Sequence, residues 1–128
     1  MVKRARDPFK GTWMFPSGFV DFGEHACDAL VREVREETGL AVLRATLLGV
    51  FQSEDDPREL GHHVFFFLAE ADGGEVVTDS EENADISWFD TSAPPAVAWK
   101  LHQRFVAVLK SGQLHRYTTE SLNYEFGG

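Results

Sequence analysis

The sequence has 128 residues, 43% of them apolar and 26% charged, which fits one ordinary domain and excludes a multidomain chain, a disordered polymer and a fibrous repeat. Twenty-one acidic residues against 12 basic ones leave a formal charge of −9, a sign that repels nucleic acid polymers and anionic membranes at long range. The longest apolar run, Val64 to Ala69, is far short of the roughly 20 residues of a spanning helix, and the basic N-terminus lacks an apolar leader segment. A cytoplasmic protein is therefore expected, with neither a membrane nor a nucleic acid polymer as partner.

In chain order, a short basic stretch (Lys3, Arg4, Arg6) precedes turns at Asp7-Pro8 and Lys10-Gly11. A strand then runs through Trp13 and Phe15 until Pro16, Ser17 and Gly18 break it. After a loop containing Gly23, the residues Cys27, Leu30, Val31 and Val34 recur at helical spacing and Gly39 stops the pattern, so a helix is expected from near Glu24 to Thr38. Cys27 is the single cysteine; it excludes an internal disulfide and reads as a buried thiol in that stripe. Leu40 to Phe51 and His63 to Glu70 read as strands on either side of a loop, Glu54 to Gly61, and the second ends at the turn Asp72-Gly73-Gly74. A shorter strand, Ile86 to Phe89, leads through Pro94-Pro95 into a second helix striped by Ala98, Leu101, Phe105 and Val108 and closed by Ser111-Gly112. Residues 1–112 thus form the expected domain, and the weakly alternating tail 113–128 is strand or disorder, a candidate added strand. Strands and helices alternate without a regular βαβ rhythm, which predicts an α/β fold with a mixed sheet and helices on its faces.

Glu33, Glu36 and Glu37 stand at i, i+3 and i+4, so their carboxylates share about 100° of helix circumference next to the apolar stripe. Like charges at that spacing destabilise a helix, and anions in its last turn oppose the macrodipole. Read alone, the pattern leaves two accounts open: a solvated face partly paired with Arg32 and Arg35, or a site where a divalent cation reverses the repulsion. An all-oxygen cluster suits Mg²⁺ or Mn²⁺.

The same residues belong to a longer pattern. Gly18, Glu24, Arg32, Glu33, Val34, Glu36, Glu37, Gly39 and Leu40 satisfy every fixed position of the Nudix box, G-x5-E-x7-R-E-U-x-E-E-x-G-U with U a bulky aliphatic residue. Seven identities and two apolar positions should recur by chance in a chain of this length on the order of once in a million or less. The chain therefore resembles the Nudix hydrolases. The lead-in Pro8 to Trp13 with Phe15-Pro16, and the close at Ile86 to Phe89 with its following helix, extend the likeness over about residues 2 to 110.

The resemblance implies a Nudix-like α/β/α sandwich in which a loop, helix and loop hold divalent cations against a diphosphate. Glu36 and Glu37 would be metal ligands, Glu33 a further ligand or the group that deprotonates water, Arg32 the residue that orients Glu33, and Glu24 a supporting residue. The carbonyl of Ser17 or Gly18 would add a metal oxygen. Glu82, six residues before Trp88, is either an acid that reaches the site or one more loop charge among Asp79, Glu81 and Asp85. Arg4, Arg6 and Lys10 are candidates to meet a phosphate, with a solvated strand end as the plainer account. His62 and His63 open an apolar strand and read as packing or surface residues, and Phe65, Phe66, Phe67, Trp88 and Phe89 as mostly core, with one ring available to stack on a base.

Relatives usually carry a full strand before the lead-in, whereas only Val2 to Arg6 stands there in this sequence. The N-terminal strand is thus expected to be short, with the tail Leu114 to Phe126 or a second protomer filling the gap. The expected activity is a Mg²⁺-dependent pyrophosphohydrolase acting on a nucleoside diphosphate linked to another group, such as ADP-ribose, a dinucleotide or an oxidised nucleoside triphosphate. The alternative is a Nudix-like binding or regulatory module that holds a nucleotide without cutting it. Pro57 sits near where ADP-ribose hydrolases often have proline, and is equally an ordinary turn residue.

Overall fold

The computed structural model describes residues 1–52, 62–77 and 81–112. Among the described residues seven elements follow one another: β1 (Val2–Arg4), β2 (Trp13–Met14), α1 (Ala26–Thr38), β3 (Val42–Gln52), β4 (His63–Ala71), β5 (Asn83–Ile86) and α2 (Lys100–Ser111).

The N-terminal strand is short, as expected, yet it is the middle strand of its sheet. β1 pairs antiparallel with β2 on one side (Val2 opposite Met14) and with β5 on the other (Val2 opposite Ile86), so the expected gap is taken by β1 itself. Val2 is fully buried between them, which explains how three residues suffice: one branched side chain is enclosed while both backbone edges are paired. The tail proposed for that place, residues 113–128, lies outside the described residues, as does Pro57.

β3 and β4 form a separate antiparallel hairpin with two register shifts, between Val42 and Arg44 and between Leu47 and Gly49. The second shift leaves Leu48 unopposed and turned inward, 8% exposed. Among the described residues all three ladders are antiparallel, and the parallel component is one bridge, Trp13 to Val97. α2 closes the hairpin's inner face through Phe105, whose ring stacks on Phe66 at 3.3 Å between centroids and meets Phe51 edge-on at 5.2 Å. α1 packs against β3, completing an α/β/α sandwich.

Three expectations are corrected. The strand expected at Ile86 to Phe89 is instead Asn83–Ile86, because pairing with β1 captures those residues despite their modest strand preference, after which the chain leaves the sheet. Trp88 is consequently 65% exposed, and Phe65 is 43% exposed on the hairpin's outer face, so neither ring is core. Cys27 is exposed, and so is Val31 one turn later. The buried face of α1 carries Ala29, Glu37 and Thr38, rotated from the apolar stripe toward the carboxylates, and the reason lies in the loop that precedes the helix.

Candidate active site

The chain from Phe15 to Gly18 runs between the two helices and is tied to both. The Phe15 N–H donates to His102 Nδ1 of α2 at 3.2 Å, and the Ser17 N–H donates to Glu37 Oε2 of α1 at 2.9 Å. Gly18 lies against the Glu33 carboxylate so closely that a Cβ there would fall on the carboxylate itself. Two acids of the helix thus face inward because a backbone donor and a missing side chain receive them, and the apolar residues Cys27 and Val31 turn outward in exchange.

Arg32 organises the cluster's outer edge. Its fork grips Glu24 with Nε to Oε1 at 2.9 Å and Nη2 to Oε2 at 3.0 Å; Nη1 reaches Glu33 Oε1 at 2.7 Å, and Nη2 also donates to the Phe19 carbonyl at 2.9 Å. Asp21 at 3.6 Å and Glu36 at 3.4 Å lie at longer range. Glu24 stands before the helix in a turn where its Oε2 also accepts from the Asp21 N–H. Hydrogen bonding to Arg32, with the Asp21 N–H second, holds the Glu24 carboxyl down at about 2, and its two carboxylate partners push the Arg32 guanidinium further above its usual value.

Glu37 behaves oppositely. Burial raises its carboxyl to about 7; the Ser17 N–H and the Asn83 amide pull it down in part, and the negative charges of Glu33 and Glu82 push it up again. A carboxylate buried without a cation of its own is costly, and this one is 7% exposed. Arg32 reaches Glu33 and Glu36, whereas no described arginine or lysine forms an ion pair with Glu37.

Of the residues expected from sequence, Glu24, Arg32, Glu33 and Glu36 come together in one ion-pair network, while Glu37 sits behind it, within the field of Glu82. Gly18 contributes its bare backbone. Arg4 is engaged elsewhere, donating to the Pro8 carbonyl at 2.7 Å and lying over the Trp99 ring, and Arg6 forms an exposed pair with Glu81 at 3.0 Å. Sequence reasoning missed Ser17 as a donor, Asp21, His102 and Asn83; a polar residue directly after Glu82, at the head of a strand, was the available sign of the last.

Among the described residues no three acids or imidazoles already converge on one point as a finished cation site. The donor set nevertheless fits a hard divalent cation: every candidate ligand is an oxygen, and one acid is buried without a counter-charge. On the α2 side of Phe15 lies a largely apolar cavity of about 160 Å³ lined by Phe15, Trp88, Phe89, Asp90, Pro94 and Leu109 among others.

The NUDIX domain family model matches residues 1–109. An ADP-ribose pyrophosphatase of Methanocaldococcus jannaschii is 38% identical over 108 residues, 83% of this chain and 62% of that protein. The 8-oxo-dGDP phosphatase NUDT18 of Danio rerio is 38% identical over 97 residues, 73% of this chain and 28% of that protein. The chain thus spans less than two thirds of the length of these curated relatives. Among solved structures, the crystal structure of a MutT NUDIX hydrolase from Burkholderia pseudomallei superposes with a TM-score of 0.70 at 32% identity, covering 83% of each chain. With the box residues gathered around one loop and helix, and the family model spanning most of its length, the chain belongs to the Nudix family.

Proposed function

We propose that the chain is a divalent-cation-dependent pyrophosphohydrolase that cleaves the diphosphate linkage of a nucleoside diphosphate joined to a further group, with ADP-ribose the first substrate to try. The observation that carries this reading is the inward-facing pair Glu33 and Glu37, received by Gly18 and by the Ser17 N–H, beside an arginine already paired with two acids. Likeness to a relative named as an ADP-ribose pyrophosphatase supports the choice of substrate.

Glu36, Glu37 and Glu33 would hold Mg²⁺ or Mn²⁺, with Glu82 and the Gly18 carbonyl as further oxygens. The bound cation supplies charge neutralisation of the diphosphate and a lowered pKa for water. Glu33 accepts the proton of the attacking water, whose oxygen joins one phosphorus while the bridging P–O bond breaks and the bridging oxygen leaves with the other phosphate. Arg32 keeps Glu33 oriented for that transfer, and Glu24 keeps Arg32 in place. The exposed Arg6–Glu81 pair is worth about 0–1 kcal/mol, weak enough for Arg6 to exchange its partner for a substrate phosphate. Arg4, its neighbour on β1, would face phosphate only by leaving Trp99. The cavity beyond Phe15 suits a planar base; a site for a whole ligand typically runs to about 300–1,000 Å³.

The test is product release from ADP-ribose, dinucleotides and oxidised nucleoside triphosphates with and without Mg²⁺. Metal-dependent cleavage of one class, abolished in Glu36→Gln and Glu37→Gln, is the expected result. Nucleotide binding with no turnover for any class would convert the reading to that of a binding module.

A further inference from the structure

Asn83 is a buried polar side chain that the chemistry above leaves unused. It opens β5 opposite Arg4 on β1, follows Glu82 directly and is 8% exposed. Its Nδ2 has no hydrogen-bond partner among the described residues, a situation that a smaller or apolar residue would avoid and that native interiors rarely keep without use. The Asn83 side chain faces the Glu37 carboxylate, and its Nδ2 makes no hydrogen bond of full geometry to it. Glu37 meanwhile has one oxygen, Oε2, occupied by the Ser17 N–H. A carboxylate that must turn to take up a cation needs its orientation fixed from behind, and such supporting donors typically change metal affinity about 10–100-fold.

We propose that Asn83 is a positioning residue for Glu37, its side-chain amide donating to the carboxylate once a divalent cation is bound and so fixing the orientation in which Glu37 holds that cation. This rests on the reading of the carboxylate cluster as a cation site, and it assigns a partner to the buried donor. Asn83 touches neither the reacting water nor the phosphates; it acts through Glu37.

The experiment uses the full chain without substrate, titrated with Mn²⁺ and separately with Mg²⁺, the rise in melting temperature giving the half-saturating metal concentration. Asn83→Ala is expected to raise that midpoint about tenfold, and to recover most of kcat at saturating metal. Asn83→Ser, which keeps a hydroxyl donor in a smaller side chain, is expected to lie between the two and is read by the same criterion if the alanine variant does not fold. A folded variant whose midpoint rises by less than about threefold overturns the proposal, and if its metal-free melting temperature has fallen the role of Asn83 is packing alone. A parent protein with no metal-induced shift overturns the cation site itself and the proposal with it, whereas a parent that shifts beside an unchanged Asn83→Ala overturns only the role given to Asn83.

Discussion

Glu37 carries the clearest conflict between stability and chemistry in the molecule. Its folded-state carboxyl sits at about 7 against an ordinary 4.5, so between those values the folded chain holds a proton that the unfolded chain releases. The stability linked to this group is fully present below about pH 4.5 and is lost as pH rises through about 7. By this linkage Glu37→Gln should be more stable than the parent without metal at pH 8, by roughly 3 kcal/mol, with the difference vanishing toward pH 4.5. Denaturant titrations of both proteins across that range check it, and parallel curves at all pH values would remove Glu37 from the account. The position of Glu37 in the box was readable from spacing, but its depth was not. Three glutamates at i, i+3 and i+4 look alike on a helical wheel; what separates buried Glu37 from Glu36, whose side chain is 59% exposed, is a backbone N–H twenty residues earlier.

At the scale of elements, α1 shows how a helix can be placed by its neighbours against its own apolar stripe. Its beginning and end followed local rules to within two residues, and Gly39 takes the left-handed conformation, φ 75°, that terminates the helix. Its rotation did not follow, since an inward Glu33 depends on Gly18 and could be inferred only through the family pattern. β5 was displaced from Ile86–Phe89 for the same kind of reason: Ile, Trp and Phe favour a strand, but β1 pairs with the residues its own position meets. The contact at Gly18 yields a direct prediction. Gly18→Ala puts a methyl group where the Glu33 carboxylate lies, so the loop or Glu33 must move. Turnover should fall at least about tenfold, since displacement of a reacting group by an ångström costs on that order or more. Unchanged kcat at saturating Mg²⁺ in a purified Gly18→Ala protein would show that Glu33 needs no such cradle.

For the molecule as a whole, the outer face of the hairpin is the surface left to explain. Val50 and Phe65 stand opposite each other across β3 and β4 and are 49% and 43% exposed among the described residues. Residues 113–128 or a second protomer were expected beside the N-terminal strand, where β1 itself stands between β2 and β5, so cover for this hairpin face is a different role, which we propose for them here. Deleting residues 113–128 should lower the melting temperature, or halve the mass in solution if a dimer depends on the tail, as light scattering and a thermal melt would report. A truncated chain of equal stability and equal mass would refute the tail's part in either arrangement.

The middle position of β1 also governs when the molecule can form. Val2 to Arg4 must find Asn83 to Ile86, residues about eighty positions later, before that sheet has its second edge. Pairings so distant in sequence close slowly, because the intervening loop must be ordered before the contact returns anything. On the ribosome, β1 would acquire β2 early and β5 only after most of the chain has emerged. The carboxylate-bearing helix would be complete long before β5, with Asn83 at its head, could come up beside it. Assembly of the site is thereby tied to completion of the sheet, so a chain interrupted before residue 83 would carry the whole Nudix box and still lack the strand that backs Glu37.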